Sequence, residues 1–317
     1  NSMTATINRT AYLLLKSARP RQWIKNLALF AALFFSGFLF FDPVDGYPYF
    51  FRVLLAFVVF CFTTSAVYIM NDIVDVAADR AHPFKKKRPI ASGELPIRTA
   101  RIAAVSALVI ALLLSFSFGW FFRILLIGYV LMQFGYAKVF KHIPIVDVSV
   151  IATGFLIRVY AGAGVVNLHM SVWFLLTVIS ASLFIAVAKR QSERTLLTGL
   201  SDEEIGSTRK SLKHYSNRLL DQFTAMFATA TWLTFALFTF QSPVDDPRPN
   251  VLSSIYGLLP RTLQSQKLLM LSMPFVIFIV MRYLQLVYEG NKGESPERVL
   301  FSDKPLLISV FLFVLVV

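Results

Sequence analysis

The stretch Asn71-Asp72-Ile73-Val74-Asp75-Val76-Ala77-Ala78-Asp79 gathers the groups best suited to chemistry. Nothing in it breaks a helix before Pro83. At about 100° per residue, Asp72, Asp75 and Asp79 (i, i+3 and i+7) therefore share a face with Asn71, four before Asp75. Three like charges on one stripe repel, and a helix C-terminus disfavours carboxylates because its dipole end is negative. A helix end that merely meets water would carry Lys, Arg or scattered acids. A bound cation removes the conflict. All-oxygen ligands select Mg2+, or Mn2+ in its place, ions that keep several waters and recruit substrate phosphates. The next residues, Arg80-Ala81-His82-Pro83-Phe84-Lys85-Lys86-Lys87-Arg88-Pro89, are strongly basic. Beside a carboxylate–metal site they form a clamp for a diphosphate; alone, a basic loop needs no more than membrane topology to explain it. His82 reads as a turn residue.

Further ionisable groups lie downstream. Tyr136, Lys138, Lys141 and His142 precede Pro144, which sits at a helix start, and Asp147 follows in or just past the first turn. Arg158 comes eleven residues after Asp147, on the same helix face but roughly 16 Å along the axis, too far for a direct ion pair. Ionisable groups inside a span mark a cavity or partner. Gly154, Gly162 and Gly164 read as helix-packing positions. Lys189 and Arg190 end an apolar run and read either as snorkelling anchors or as phosphate ligands. Asp221 and Gln222 read as helix capping, and Cys61, the one cysteine, as a small buried hydrophobe.

The elements that must position these groups are membrane spans. Of 317 residues, 56% are hydrophobic and only 15% charged, too few charges to cover a soluble globule. Disorder is excluded by the hydrophobicity, and so is a soluble nucleic-acid binder, despite a net charge of +13. Apolar windows of about 20 residues fall at Ile24–Phe41, Phe50–Met70, Ile102–Phe121, Ile124–Phe140, Ile143–Val166, Val172–Ala188, Gln222–Phe240, Lys267–Leu286 and Pro305–Val317. The last is short, its outer end frayed or cut. No cleavable signal peptide is expected, and Asn1-Ser2-Met3 reads as an addition ahead of a native start.

With the amino end inside, 25 Lys and Arg fall in cytoplasmic segments and five in outer ones. That asymmetry sets the orientation. The expectation is an all-α, nine-span single domain over 1–317, with an N-terminal arm at about 1–18. Its cytoplasmic active-site loops would lie at about 71–101, 135–142 and 189–221.

NDIVDVAADRAHP after the second span, followed by KRPIASG, resembles the UbiA-type intramembrane prenyltransferase superfamily. The resemblance runs from about Arg19 to Tyr288. It implies a nine-helix bundle with an Asp-rich, Mg2+-dependent diphosphate site under cytoplasmic caps and a lateral opening for a lipid chain. ARPRQWIKN (18–26), SAVYIMNDIVDVAADRAHP (65–83), KHIPIVDVSVIATGFLIR (141–158) and AKR (188–190) resemble its decaprenyl-phosphate phosphoribosyltransferase branch. Members of that branch move 5-phosphoribose from phosphoribosyl diphosphate (PRPP) to a polyprenyl phosphate in the bacterial inner membrane. Their product serves the arabinan of certain cell walls.

Carried over, Mg2+ bridges the diphosphate to Asp72 and Asp75, while Asp79 and Asn71 position the metal, its waters or ribose hydroxyls. Lys25, Arg80, Lys85, Arg88, Lys141, Lys189 and Arg190 are phosphate candidates, with Tyr136, Asp147 and Arg158 beside them as substrate-site residues. Two departures are visible. Ile151 stands where aromatic prenyltransferases carry the second carboxylate of a DxxxD motif begun by Asp147, and Tyr136 is five rather than four before Lys141. The alternatives are an aromatic or quinone prenyltransferase and, remotely, a transporter. A homo-oligomer within the membrane lipids is compatible with either enzyme.

Overall fold

The computed structural model describes residues 2–43, 46–81, 85–196, 210–241, 268–289 and 296–317. Among these residues every regular element is helical. Helix α1 (Ser2–Ala18) is followed by a 3-10 segment (Pro20–Phe30) and α2 (Ala31–Phe35). Then come α3 (Tyr49–Val74), α4 (Val76–Ala81), α5 (Ile97–Ser115), α6 (Trp120–Lys138), α7 (Val146–Val165) and α8 (Val172–Leu196). The chain continues with α9 (Asn217–Gln241), α10 (Met273–Tyr288), α11 (Pro296–Ser302) and α12 (Lys304–Val316). Among the described residues, seven helical stretches are long and apolar enough to cross a membrane, and they correspond to the second through eighth expected spans.

The two terminal expected spans differ. Ile24–Phe41 is not one α-helix, since Pro20 opens an eleven-residue 3-10 segment and Gly37, at φ 76°, follows the short α2. Eleven 3-10 residues still rise about 22 Å, most of the way across a hydrocarbon core of about 30 Å. At the other end α12 has 13 residues, short of the length a span needs.

Punctuation is by Pro and Gly. Pro48 and Pro96 precede α3 and α5, and Gly119 precedes α6. Proline falls in the first turn of the 3-10 segment, α10 and α12, where its missing N–H costs nothing.

The described residues fall into two compact units. The first comprises 1–32, 41–140 and 157–168, and the second 33–40, 141–156 and 169–317. In the first, Leu13, Ala66, Ile69, Ile90, Leu95, Ala100 and Ala104 form a buried core joining α1, α3, α5 and the turn before α5. Small residues let these backbones approach, as expected where lipid removes the hydrophobic drive between helices. Gly162 on α7 shows how close: a Cβ there would lie 1.8 Å from the Leu29 carbonyl oxygen. In the second unit, Phe184, Ala188, Ala228, Val280, Tyr283, Val287, Val299 and Leu306 form one core. Val148, Ala186, Val187, Tyr215 and Leu220 form another.

Candidate active site

In the first unit α3 carries its polar end into a cluster of charges. The helix does not run through the acidic stretch. It stops at Val74, and Asp75, at φ −89° and ψ 7°, separates it from α4. Backbone bonds bridge the break, from Asp75 N to the Asn71 carbonyl at 2.9 Å and from Asp79 N to the Asp75 carbonyl at 2.8 Å. The expected continuous stripe of three acids is therefore interrupted at its middle member. Asp72 and Asp79 are 3% exposed, whereas Asn71 and Asp75 are half-buried.

Two arginines come to the buried pair. Arg88 Nη1 donates to Asp79 Oδ2 at 2.6 Å and lies 3.2 Å from Asp72 Oδ1. Arg19 Nη2 donates to the same Asp72 oxygen at 2.5 Å. Arg88 is held by the turn leading to α5, in which Ser92 N donates to the Arg88 carbonyl at 2.8 Å and Leu95 N to the Pro89 carbonyl at 2.9 Å. Gly93 supplies the φ of +83° this turn needs, and Ile90 and Leu95 anchor it in the core. Arg80 Nε donates to the Ala91 carbonyl at 3.1 Å, tying α4 to the same turn. Arg19 is left-handed at φ 55° and ψ 64°, directly before Pro20, a conformation a non-glycine residue keeps only where its surroundings enforce it. Its guanidinium lies over the Tyr68 ring, 5.1 Å from the centroid.

Among the described residues no three His, Cys, Asp or Glu side chains gather closely enough to hold a metal ion. Asp72, on α3, and Asp79, on α4, nonetheless converge on one cationic nitrogen. Carboxylates are all-oxygen donors, so the pair fits a hard divalent cation, and the Asp75 carboxylate acts on Asp72 from nearby. Lys25, in the 3-10 segment, and Tyr136, in α6, are half-buried; Lys85 is exposed. His82 lies outside the described residues, as does the part of the 189–221 loop over 197–209.

Asp147 and Arg158 do not act as a pair. Arg158, 5% exposed, donates through Nε to Asn26 Oδ1 at 2.9 Å and through Nη2 to the Tyr129 hydroxyl at 2.8 Å, within the first unit. Asn26 also donates to Thr64 Oγ1 at 3.2 Å and to Cys61 Sγ at 3.5 Å.

In the second unit Asp147 is fully buried and accepts from Arg190 Nε at 2.9 Å, Tyr215 OH at 2.7 Å, Ser211 Oγ at 3.2 Å and Val148 N at 3.0 Å. Arg190, 1% exposed, also donates to Glu193 Oε2 at 2.6 Å. Ile145, left-handed at φ 68°, donates its N–H to the Tyr215 hydroxyl at 2.6 Å. Burial pushes the Tyr215 phenol far above its usual pKa, opposed by the Ile145 N–H and reinforced by the Asp147 carboxylate, so the hydroxyl stays a donor. Lys141 and Lys189 are half-buried nearby in sequence. Asp221 and Gln222 do not cap a helix start: α9 begins at Asn217, and Asp221 accepts from Gln191 and from the Tyr288 hydroxyl, each at 2.9 Å.

Reading the sequence alone passed over Arg19, Asn26, Tyr129, Ser211 and Tyr215. Arg19 and Asn26 stand at the two ends of RPRQWIKN, where an Arg before a Pro and an Asn in an apolar run were the available signals.

Comparison with known proteins agrees with this architecture. The UbiA prenyltransferase family model matches residues 26–302. A decaprenyl-phosphate phosphoribosyltransferase of Corynebacterium glutamicum is 35% identical over 299 residues, covering 93% of this chain and 82% of that protein. One of Mycolicibacterium smegmatis is 35% identical over 303 residues, covering 93% and 88%. Among solved structures, a UbiA homolog from Archaeoglobus fulgidus bound to GPP and Mg2+ has a TM-score of 0.67 at 17% identity, covering 96% of this chain and 97% of its own, a likeness of fold. With apolar helices of spanning length, a family model over most of its residues and relatives at this identity, the chain is a multi-pass membrane protein and belongs to the UbiA prenyltransferase family.

Proposed function

We propose that the protein transfers 5-phosphoribose from phosphoribosyl diphosphate to decaprenyl phosphate, releasing diphosphate. The carrying observation is the cluster of Asp72, Asp79, Arg88 and Arg19, in which buried carboxylates and guanidinium groups meet at the C-terminal end of α3. The relatives bearing that activity's name, matched over nearly the whole chain, support the same donor and acceptor. The cytoplasmic face of a bacterial inner membrane is the proposed location, with the spans forming one integral-membrane domain and an inside amino end. The 25-to-five split of basic residues supports that orientation.

Asp72, Asp75 and Asp79 would hold Mg2+, with Asn71 next to Asp72 in the chain; bound there, the ion would neutralise charge on the leaving diphosphate. Arg88, Arg19, Arg80, Lys25 and Lys85 receive phosphate oxygens of the donor, with guanidinium groups favoured where two oxygens are gripped at once. Lys141 and Lys189 are assigned to the acceptor phosphate. In the transfer the ribose C1–O bond to diphosphate breaks, its electron pair leaving with the diphosphate, and a C1–O bond to the polyprenyl phosphate forms. The acceptor oxygen is already anionic, so no proton has to be removed and no general base is needed. The protein's contribution is positioning and electrostatic stabilisation. The product would supply an arabinose donor for arabinogalactan in the cell wall.

Purified protein is to be incubated with Mg2+ and radiolabelled phosphoribosyl diphosphate plus decaprenyl phosphate, and in parallel with a polyprenyl diphosphate plus 4-hydroxybenzoate. Label in the lipid fraction of the first reaction, and no product in the second, is expected. The reverse pattern refutes the proposal in favour of aromatic prenyl transfer.

A further inference from the structure

The arginines in the cluster hold one oxygen of each buried carboxylate, oxygens that a metal ion would also use. Oδ1 of Asp72 accepts from both Arg19 Nη2 and Arg88 Nη1, while Oδ2 of Asp79 accepts from the same Arg88 nitrogen. The carboxylate side chains are 4% exposed, against 32% for Arg19 and 28% for Arg88. The acids are thus fixed in the protein, and the cations reach them from the solvent side. A hard divalent ion must face carboxylate lone pairs directly, and one oxygen of each carboxylate is already engaged by a guanidinium group. Ion and guanidinium are also like charges, so each weakens the other's hold on these oxygens at this range.

Displacing the arginines without replacing their anion would strand two cations at the edge of a buried carboxylate pair. A diphosphate provides such a replacement, because guanidinium groups bind phosphate and carboxylate oxygens with the same bidentate geometry. The backbone keeps both arms at the site: Arg19 by its left-handed conformation before Pro20, and Arg88 by the Gly93 turn.

We infer that Arg19 and Arg88 are exchangeable internal counter-ions of Asp72 and Asp79. They compete with a bare divalent cation and yield to one that arrives together with a diphosphate. Metal and diphosphate then bind with positive coupling, and the coupling is reciprocal. The inference rests on the proposed reading of Asp72 and Asp79 as metal-holding groups, and adds the residues that make their occupancy conditional on the donor.

The test measures Mn2+ bound to the full-length protein in nanodiscs by electron paramagnetic resonance, with and without inorganic diphosphate. The proteins compared are wild type, Arg88→Gln, Arg19→Gln and Asp72→Asn. Wild type is expected to bind free Mn2+ weakly and to gain affinity with diphosphate. Removing one competing cation by Arg88→Gln is expected to tighten free Mn2+ binding roughly tenfold or more and to shrink the gain from diphosphate. Arg19→Gln, which leaves Arg88 in place, is expected to shift both in the same direction by less. Asp72→Asn is expected to weaken Mn2+ binding under both conditions. Wild type that gains affinity with diphosphate, beside arginine variants whose free Mn2+ affinity is unchanged or weaker, overturns the inference and leaves the metal reading standing. No protein-bound Mn2+ in wild type under either condition overturns the metal reading, and the inference with it.

Discussion

Replacing Asn26 by alanine removes the side chain that joins the 3-10 segment to α3 and α7 in the first unit. Three contacts are lost: acceptance from Arg158 Nε at 2.9 Å, donation to Thr64 Oγ1 at 3.2 Å and the long contact to Cys61 Sγ at 3.5 Å. The first matters most, because Arg158 is buried and a hydrogen bond to a charged group contributes about 1.5–3 kcal/mol. The bond to Thr64 adds about 1 kcal/mol, and the weak sulfur contact little. The total, about 3 kcal/mol, corresponds to about a hundredfold in an opening equilibrium.

The protein contains its own reporter, since Cys61 is its single cysteine, is buried and touches Asn26. Labelling by a membrane-permeant maleimide under conditions where closing outpaces reaction reads that opening equilibrium. Asn26→Ala is expected to label about a hundredfold faster than wild type. Asn26→Asp, which keeps an acceptor for Arg158, is expected to fall between them. Labelling of Asn26→Ala within about threefold of wild type would refute the energetic reasoning, since even one hydrogen bond to the buried guanidinium is worth more.

Further outcomes follow from the same geometry. Asp72→Ala and Asp75→Ala are each expected to abolish phosphoribosyl transfer at saturating Mg2+ while leaving the melting temperature in detergent near wild type; wild-type turnover in both would reject the carboxylate site. Tyr215→Phe removes the hydroxyl between Ile145 N and Asp147 Oδ1 and is expected to cost about 2 kcal/mol of stability, read as a lowered midpoint in thermal unfolding. Because the phenol's folded pKa is raised, its contribution is complete below the ordinary tyrosine value of about 10 and is lost as pH rises toward the folded value. Wild type should therefore lose stability on this account only above that pH, and Tyr215→Phe should lack that component. Gly162→Ala places a methyl against the Leu29 carbonyl, whereas a Cβ at Gly128 meets nothing within 4 Å. The first is expected to cost about 1–3 kcal/mol or more and the second to be neutral or slightly stabilising; equal melting temperatures would contradict the close packing.

Seven of the expected spans were legible because a span is a local property: about 20 apolar residues satisfy their own backbone hydrogen bonds wherever the rest of the chain lies. The winding of the first is not legible, because apolar length alone does not distinguish α from 3-10, and Pro20 and Gly37 change the backbone without changing the hydropathy. The acidic stretch was legible for the same local reason, as spacing along one helix, yet the break at Asp75 was not, since no Pro or Gly marks it.

What the amino-acid sequence determined by itself was a helical, basic-sided membrane chain with an acidic stretch at one helix end. Which charge meets which was decided only by the tertiary structure. Arg19 reaches Asp72 across 53 residues, Arg190 reaches Asp147 across 43 and Arg158 reaches Asn26 across 132. Periodicity speaks of one helix face at a time, whereas a buried charge selects its partner from whichever backbones pack against it, because leaving it unpaired in a low-dielectric interior costs more than any local preference supplies.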